Sequence, residues 1–218
     1  MNDNIKNPVV ILISGKAQHG KDTVAKLLTE KLEERGQKVL VTHFGDLLKY
    51  ICKSFFKWDG KKDEKGRSLL QKVGTESIRF IYPDYWVNFI KEILQIFHNE
   101  WDYVIIPDTR FSNELNDFDD CFPTVKIRVN RPNFDNKLTE TQKNHVSETA
   151  LDTSNFDYYV NNVDMEYMKT QIDTILKIEP LFEQVEEKKC KKKQIKKKNN
   201  NKIAKLREKE NSREETKQ

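Results

Sequence analysis

Five consecutive aliphatic residues, Val9 to Ile13, lead directly into Ser14-Gly15-Lys16-Ala17-Gln18-His19-Gly20-Lys21, and the segment that follows is amphipathic at helical spacing. A strand buried on both faces, a turn spelling GxxxxGK and a helix, in that order, mark the opening of a parallel α/β sheet with the turn at its carboxyl edge. The glycines let the backbone turn tightly, so that successive amide N–H groups point inward at phosphate oxygens. The helix N-terminus adds partial positive charge, and Lys21 neutralises the outer phosphates. Gly15, Lys16, His19, Gly20, Lys21, Asp22 and Thr23 are therefore the candidate nucleotide-binding residues. The residue after Lys21 is Asp22 where the pattern usually has Ser or Thr, and Thr23 comes next. A magnesium ion is expected on Asp22, directly or through water, or near Thr23; the plain alternative for Asp22 is an acidic residue favoured by the helix dipole.

The rest of the chain continues the alternation. Val24, Leu27, Leu28 and Leu32 predict a helix over Thr23 to Arg35 that stops at Gly36. Lys38 to Phe44 predicts a second strand, Tyr103 to Ile106 a third, Val125 to Val129 a fourth and Tyr158 to Val160 a fifth. Helical patterns run from Asp46 to about Phe56 and from Ser68 to about Phe97, interrupted by Pro83, with a mobile loop expected over Asp59 to Gly66. Met165 to Ile178 closes the domain as an amphipathic helix.

Charge separates the chain into two parts. Residues 183–218 hold 14 Lys+Arg against 7 Asp+Glu, a net of +7, which leaves 25 against 28, or −3, for residues 1–182. The expected organisation is one kinase-sized domain over 1–182 and a Lys-rich, low-complexity tail over 183–218, with too little apolar surface to fold alone. The tail is a solvated appendage, a nucleic-acid contact or a nuclear-import signal. The three cysteines stand far apart and make no zinc pattern, which suits a reduced compartment. No segment reads as a signal peptide or bilayer span, so a soluble, cytoplasmic protein with no membrane partner is expected.

Two further segments carry chemistry. Asp108 and Arg110 lie just beyond the third strand, at the sheet edge where doubly wound folds bind ligands; the carboxylate suits magnesium and the planar guanidinium suits a phosphate. Arg131 follows the fourth strand and opens a polar segment, Asn133 to Asn144, with the composition of a lid that closes over transferring phosphates. In His145-Val146-Ser147-Glu148, Ser147 reads as a helix N-cap and Glu148 as a first-turn acid, mostly architectural.

Taken together, these blocks resemble the phage deoxynucleoside monophosphate kinases, within the P-loop nucleoside monophosphate kinases. The resemblance rests on Gly20-Lys21-Asp22-Thr23, Phe44-Gly45-Asp46-Leu47-Leu48-Lys49, Gly74-Thr75-Glu76 with Arg79, Pro83 and Trp86, Asp108 to Glu114, and His145 to Thr149. It covers roughly residues 8–178, leaving the tail outside. The resemblance implies a three-layer α/β/α fold with a five-stranded parallel sheet, ATP as donor, Mg2+ as cofactor and a deoxynucleoside monophosphate as acceptor. It also implies that Asp46, Lys49, Arg79 and Trp86 lie on the acceptor side, although a large aromatic among Tyr82, Tyr85 and Phe89 is by itself more naturally a core residue. Lys21, Arg110, Arg131 and Asp108 are the expected catalytic set, and Asp22, Thr23 and Asp108 the expected metal set. A homodimer is one option for the assembly. Two other readings compete: a P-loop kinase of another small acceptor such as dephospho-coenzyme A, and a nucleic-acid-associated ATPase or polynucleotide kinase. The second fits poorly with a negatively charged domain.

Overall fold

The computed structural model describes residues 7–136 and 138–182. Five strands, β1 (Val9–Ser14), β2 (Val39–Val41), β3 (Tyr103–Thr109), β4 (Thr124–Asn130) and β5 (Tyr158–Asn161), form one sheet in the order β2-β3-β1-β4-β5, with every pairing parallel. β1 is central and wholly buried, as its unbroken aliphatic run requires. The chain leaves β1 toward β3 and leaves β4 toward β5, so the glycine turn opens where connections depart in opposite directions.

Helices cover both faces. α1 (Lys21–Glu34) buries Val24, Leu28 and Leu32, and Lys31 Nζ lies 2.6 Å from Asp173 of α8 (Met165–Ile178). On the opposite face Val10, Leu12, Val104 and Ile106 meet Val87, Ile90 and Leu94 of α4 (Tyr85–Ile96) and Leu115 of α5 (Ser112–Asn116). Strand alternation divides each strand's side chains between these two layers.

Between β2 and β3 lie α2 (Gly45–Phe56), α3 (Glu64–Gln71) and a π-helical segment (Lys72–Arg79) ahead of α4. Helix thus begins inside the expected loop, because Asp63 accepts the Gly66 amide N–H at 2.8 Å as an N-cap. β2 is shorter than expected: its three residues pair with Tyr103 to Ile105, and the chain then turns into α2. Before β5 lie two single turns, α6 (Glu140–Lys143) and α7 (Val146–Thr149). The N-cap of α7 is His145, whose Nδ1 accepts the Ser147 amide; Ser147 itself is already helical, which corrects its assignment as cap.

The chain divides into two units, Met1–Ile175 and Leu176–Gln218. In the second, the described residues end in a short turn where the Phe182 amide donates to Glu179 O at 3.1 Å. The expected Lys-rich tail, 183–218, lies outside the described residues. Among the described residues, no helix is long and apolar enough to cross a membrane.

Candidate active site

Gly15 and Gly20 set the shape of the loop. Gly15 sits at φ +153°, where a Cβ would meet Val129 O at 2.5 Å, and Gly20 at φ +99°, where a Cβ would meet Asn162 Nδ2 at 2.6 Å. Neither position admits a side chain, so the loop is packed directly against the ends of β4 and β5. Asn162 holds it there by donating to His19 O at 2.9 Å, and Arg131 donates to Gln18 O at 3.3 Å with its guanidinium 3.9 Å from the Phe134 ring. His19 stacks edge-on against the same Phe134, and burial lowers its pKa. Gly20 serves as N-cap of α1, which begins at Lys21, two residues earlier than the periodicity indicated. The amides of Lys21, Asp22 and Thr23 therefore lie in the first turn, where N–H groups have no intrahelical partner.

Lys21 is buried, its ammonium donating to Gly15 O at 2.7 Å and Lys16 O at 2.9 Å. Burial, and secondly Arg110, brings its pKa down to about 8, opposed by Glu148, Asp22 and Asp108. Those groups come from α1, the end of β3 and α7, and their fields converge on one ammonium. The sequence separates them by up to 127 positions; the parallel order β3-β1-β4 brings them together.

Asp108 is at the expected sheet edge, but its oxygens accept the amides of Phe44 at 2.9 Å and Gly45 at 3.0 Å, so it anchors the start of α2. Arg110 donates to Ser147 O at 3.1 Å and pairs with Glu148, whose other oxygen accepts the Ala17 amide at 2.9 Å. Glu148 is therefore part of the phosphate loop's surroundings and not merely a first-turn acid. Its acidity is raised against burial chiefly by Arg110, with the Ala17 amide and Lys21 helping. Lys16 lies 3.1 Å from Asp152, which also receives Arg128, and Arg128 in turn donates to Ser14 Oγ at 3.0 Å.

On the side of α2, a chain of polar contacts runs from the loop outward. Asp22, with a 90% exposed side chain, faces His43 Nε2 at 3.7 Å; His43 Nδ1 lies 3.2 Å from Asp46, and Asp46 takes Lys49 at 2.8 Å. Asp22, then Asp108 and Asp46, hold the His43 pKa above its ordinary value. Asp46 and Lys49 are thus linked through His43 to Asp22 in the first turn of α1. Arg79 and Trp86 are differently placed. Arg79 pairs with the buried Glu114 and donates to Asn113 Oδ1 at 3.1 Å and Pro83 O at 3.3 Å, with its guanidinium 3.9 Å from the Phe111 ring. Trp86 is 4% exposed and packed in the core, its indole N–H 3.3 Å from Gly74 O. That burial corrects the acceptor-side expectation for Trp86: the ring offers a nucleobase no open face. Thr23 is half-buried in the first turn of α1. Among the described residues, no three His, Cys, Asp or Glu side chains gather into a metal cage.

Sequence reading missed Glu114, Asp152, Asn162 and His43, and underweighted Glu148. Asn162 had a usable signal, since it follows β5 at the edge where β1 and β3 carry the other site residues. The pairings of Glu114 and Asp152 had none, because charged residues beyond strands are common and only the packed turns select among them.

A glycine loop on the central parallel strand, a buried loop lysine and an Asp/Arg pair at the end of the adjacent strand define a P-loop nucleotide kinase. The sequence model of deoxynucleotide monophosphate kinases matches residues 55–172. The chain belongs to that family. The match starts after the glycine loop, so the loop geometry is independent support. No curated protein sequence matches the chain. Among solved structures, the Mycobacterium tuberculosis APS kinase CysC in complex with AMPPNP and APS is similar at 12% identity and a TM-score of 0.47, over 82% of this chain and 99% of that one. TT1252 from Thermus thermophilus is similar at 16% identity and 0.47, over 78% and 97%.

Proposed function

We propose that the chain transfers the γ-phosphoryl group of ATP to a deoxynucleoside monophosphate. An oxygen of the acceptor phosphate forms the new P–O bond, the bond to the β–γ bridging oxygen breaks, and ADP leaves. The observation that carries this reading is the convergence of Lys21, Arg110 and Asp108 beside a loop whose glycines tolerate no side chain. No protein nucleophile is required, because the acceptor is already an anion and the enzyme's work is alignment and charge stabilisation. Lys21, buried and so largely shielded from bulk solvent, is suited to charge developing on the γ-phosphoryl oxygens. Glu148 orients Arg110 toward the loop, and Arg131, lying on Gln18 O, stands at the mouth of the same loop.

Asp22, Thr23 and Asp108 offer only oxygen donors, the set that magnesium prefers, and they would hold the ion together with nucleotide phosphates. Such an ion would neutralise charge on the nucleotide phosphates. His43, Asp46 and Lys49 extend from the loop along α2 and are the groups best placed to meet the acceptor. Contact of residues 183–218 with nucleic acid is a separate proposal, tested by salt-dependent retention on DNA with and without that segment.

The test is ADP release from ATP and Mg2+ across a panel of deoxynucleoside monophosphates, dephospho-coenzyme A and 5′-hydroxyl DNA. Turnover is expected to rise by about a hundredfold with a suitable monophosphate, because joint binding excludes water and aligns the phosphates. Stimulation by either of the last two acceptors and by no monophosphate overturns the proposal.

A further inference from the structure

Phosphoryl transfer between two nucleotides brings two polyanions together, so charge must be balanced on both sides of the site. The phosphate loop has Lys21. Along α2 the charges are already committed: Lys49 lies 2.8 Å from Asp46, and Arg79 is turned into the interior against Glu114. A phosphate monoester entering there meets Asp22 and Asp46, with His43 held between them, and finds no uncommitted cation.

The distribution of charge locates one. Residues 53–72 hold seven Lys and Arg against three Asp and Glu, whereas the remainder of 1–182 holds 18 against 25. This basic stretch carries the chain from α2 into α3, and its backbone is pinned around Lys62. Lys57 ends α2 in the left-handed region at φ +54°, and the Trp58 amide returns to Cys52 O at 3.1 Å. The Trp58 indole N–H donates to Lys61 O at 3.0 Å, and the Arg67 side chain donates to Lys62 O at 3.0 Å. Asp59 accepts the Lys61 amide at 2.9 Å, and Gly66 packs so closely on Lys61 O that a Cβ there would stand 1.9 Å away. Lys62 is therefore exposed on a fixed mount, and its ammonium forms no ion pair among the described residues.

That ammonium is felt at the site. The hydrogen bond from His43, then the charges of Lys21 and Lys62, hold the Asp22 carboxyl below its ordinary value against burial. Lys62, 40 positions from Asp22 in the chain, thus reaches the first turn of α1 from the α2–α3 side without pairing with it.

We propose that Lys62 is the cation of the acceptor site, its ammonium taking the phosphate of the incoming monophosphate while Lys21 serves the donor phosphates. This assignment rests on the acceptor class proposed above. Lys62 keeps its protons and donates hydrogen bonds; the bonds made and broken are those of the phosphoryl transfer itself. A compact ammonium on a flexible stem suits the task, because it can follow a phosphate that moves into line. The exposed Lys57 and Lys65 on either side raise the local concentration of anions without touching the ligand.

Steady-state kinetics of the full chain with ATP, Mg2+ and deoxynucleoside monophosphates test the proposal. Lys62→Gln is expected to raise the monophosphate KM by about ten- to a hundredfold, with the ATP KM and the melting temperature unchanged. Lys62→Arg, which keeps the charge, should recover most of the loss. Lys65→Gln, three positions further on, should change the monophosphate KM by less than about threefold, as a screened surface charge does. The matching deoxynucleoside lacks the phosphate, so it should inhibit the wild type and Lys62→Gln with the same constant. An unchanged monophosphate KM in Lys62→Gln, or a rise in the ATP KM in its place, overturns the assignment and leaves the phosphotransfer reading standing. So does a deoxynucleoside constant that shifts as far as the KM, since the effect is then not on the phosphate. A wild type stimulated by no monophosphate removes that reading, and the assignment with it.

Discussion

Glu114 and Arg79 form a buried ion pair that joins the helical segment between β2 and β3 to the turn after β3. The other Glu114 oxygen accepts the amides of Arg110 at 2.7 Å and Phe111 at 3.1 Å, so one carboxylate, 2% exposed, holds both the π-helical segment and the backbone of Arg110. Removing it strands a cation and two amides in the interior. Glu114→Ala is expected to cost about 3–5 kcal/mol in denaturant unfolding, with Glu114→Gln costing less because its carbonyl still accepts an amide. Equal stability of all three proteins would show that the pair is dispensable.

The same residue gives a pH dependence with a definite sign. Burial pushes the Glu114 carboxyl up from 4.5 to about 7, against the pull of Arg79. A carboxyl whose folded pKa is raised contributes stability that is fully present below pH 4.5 and is lost as pH rises through about 7. The stability of the wild type relative to Glu114→Gln should therefore fall between pH 4.5 and 7 and level off above. A difference that grows over that interval contradicts the burial argument.

Lys21 separates activity from stability. Its ammonium is buried at a cost that lowers its pKa to about 8, so Lys21→Ala should leave the melting temperature unchanged or slightly raised. Turnover should nevertheless drop by about 10²–10³ if the lost donor acts on the transferring group as proposed. Comparable turnover in a folded mutant would remove Lys21 from the mechanism.

The two loop glycines should respond differently to relief. Gly20→Ala clashes with the Asn162 side chain, whereas Gly15→Ala clashes with a backbone carbonyl, Val129 O. Each substitution should cost about 1–3 kcal/mol, but Asn162→Ala should recover part of the loss for Gly20→Ala and none for Gly15→Ala. A double-mutant cycle on thermal unfolding measures the coupling, and rescue of neither variant would mean that backbone strain alone sets the cost.

Asp108→Asn tests a residue with two tasks. Only one of its two positions remains an acceptor for the Phe44 and Gly45 amides, so a loss of about 1–2 kcal/mol is expected. If the carboxylate also meets magnesium, the Mg2+ concentration for half-maximal turnover rises in the same variant. An unchanged magnesium titration with the stability loss present confines Asp108 to anchoring α2.

Local pattern was enough for the sheet and for the loop. An aliphatic run as long as Val9 to Ile13 has no stable place except a strand covered on both faces, and GxxxxGK between such a strand and a helix has a backbone consequence independent of the rest of the chain. Met165 to Ile178 was equally legible, its helical stripe being complete within 14 residues. What local pattern cannot contain is which distant groups meet. Asp108 and Arg131 each followed a strand and were sound candidates on that ground, but the partners that define their roles, Phe44 and Gly45 for one and Gln18 for the other, lie 63 to 113 positions away. Glu148 looked like an ordinary first-turn acid until β4 and α7 brought it to Ala17, and nothing near Arg79 in the sequence indicated that α5 sets Glu114 against it. Ion pairs are selected by where packed turns place charges, and a charged side chain is compatible with many partners. Strand burial and glycine geometry are constraints on single residues, so the sequence carries them; pairing of charges is a constraint between residues, and only the tertiary structure decides it.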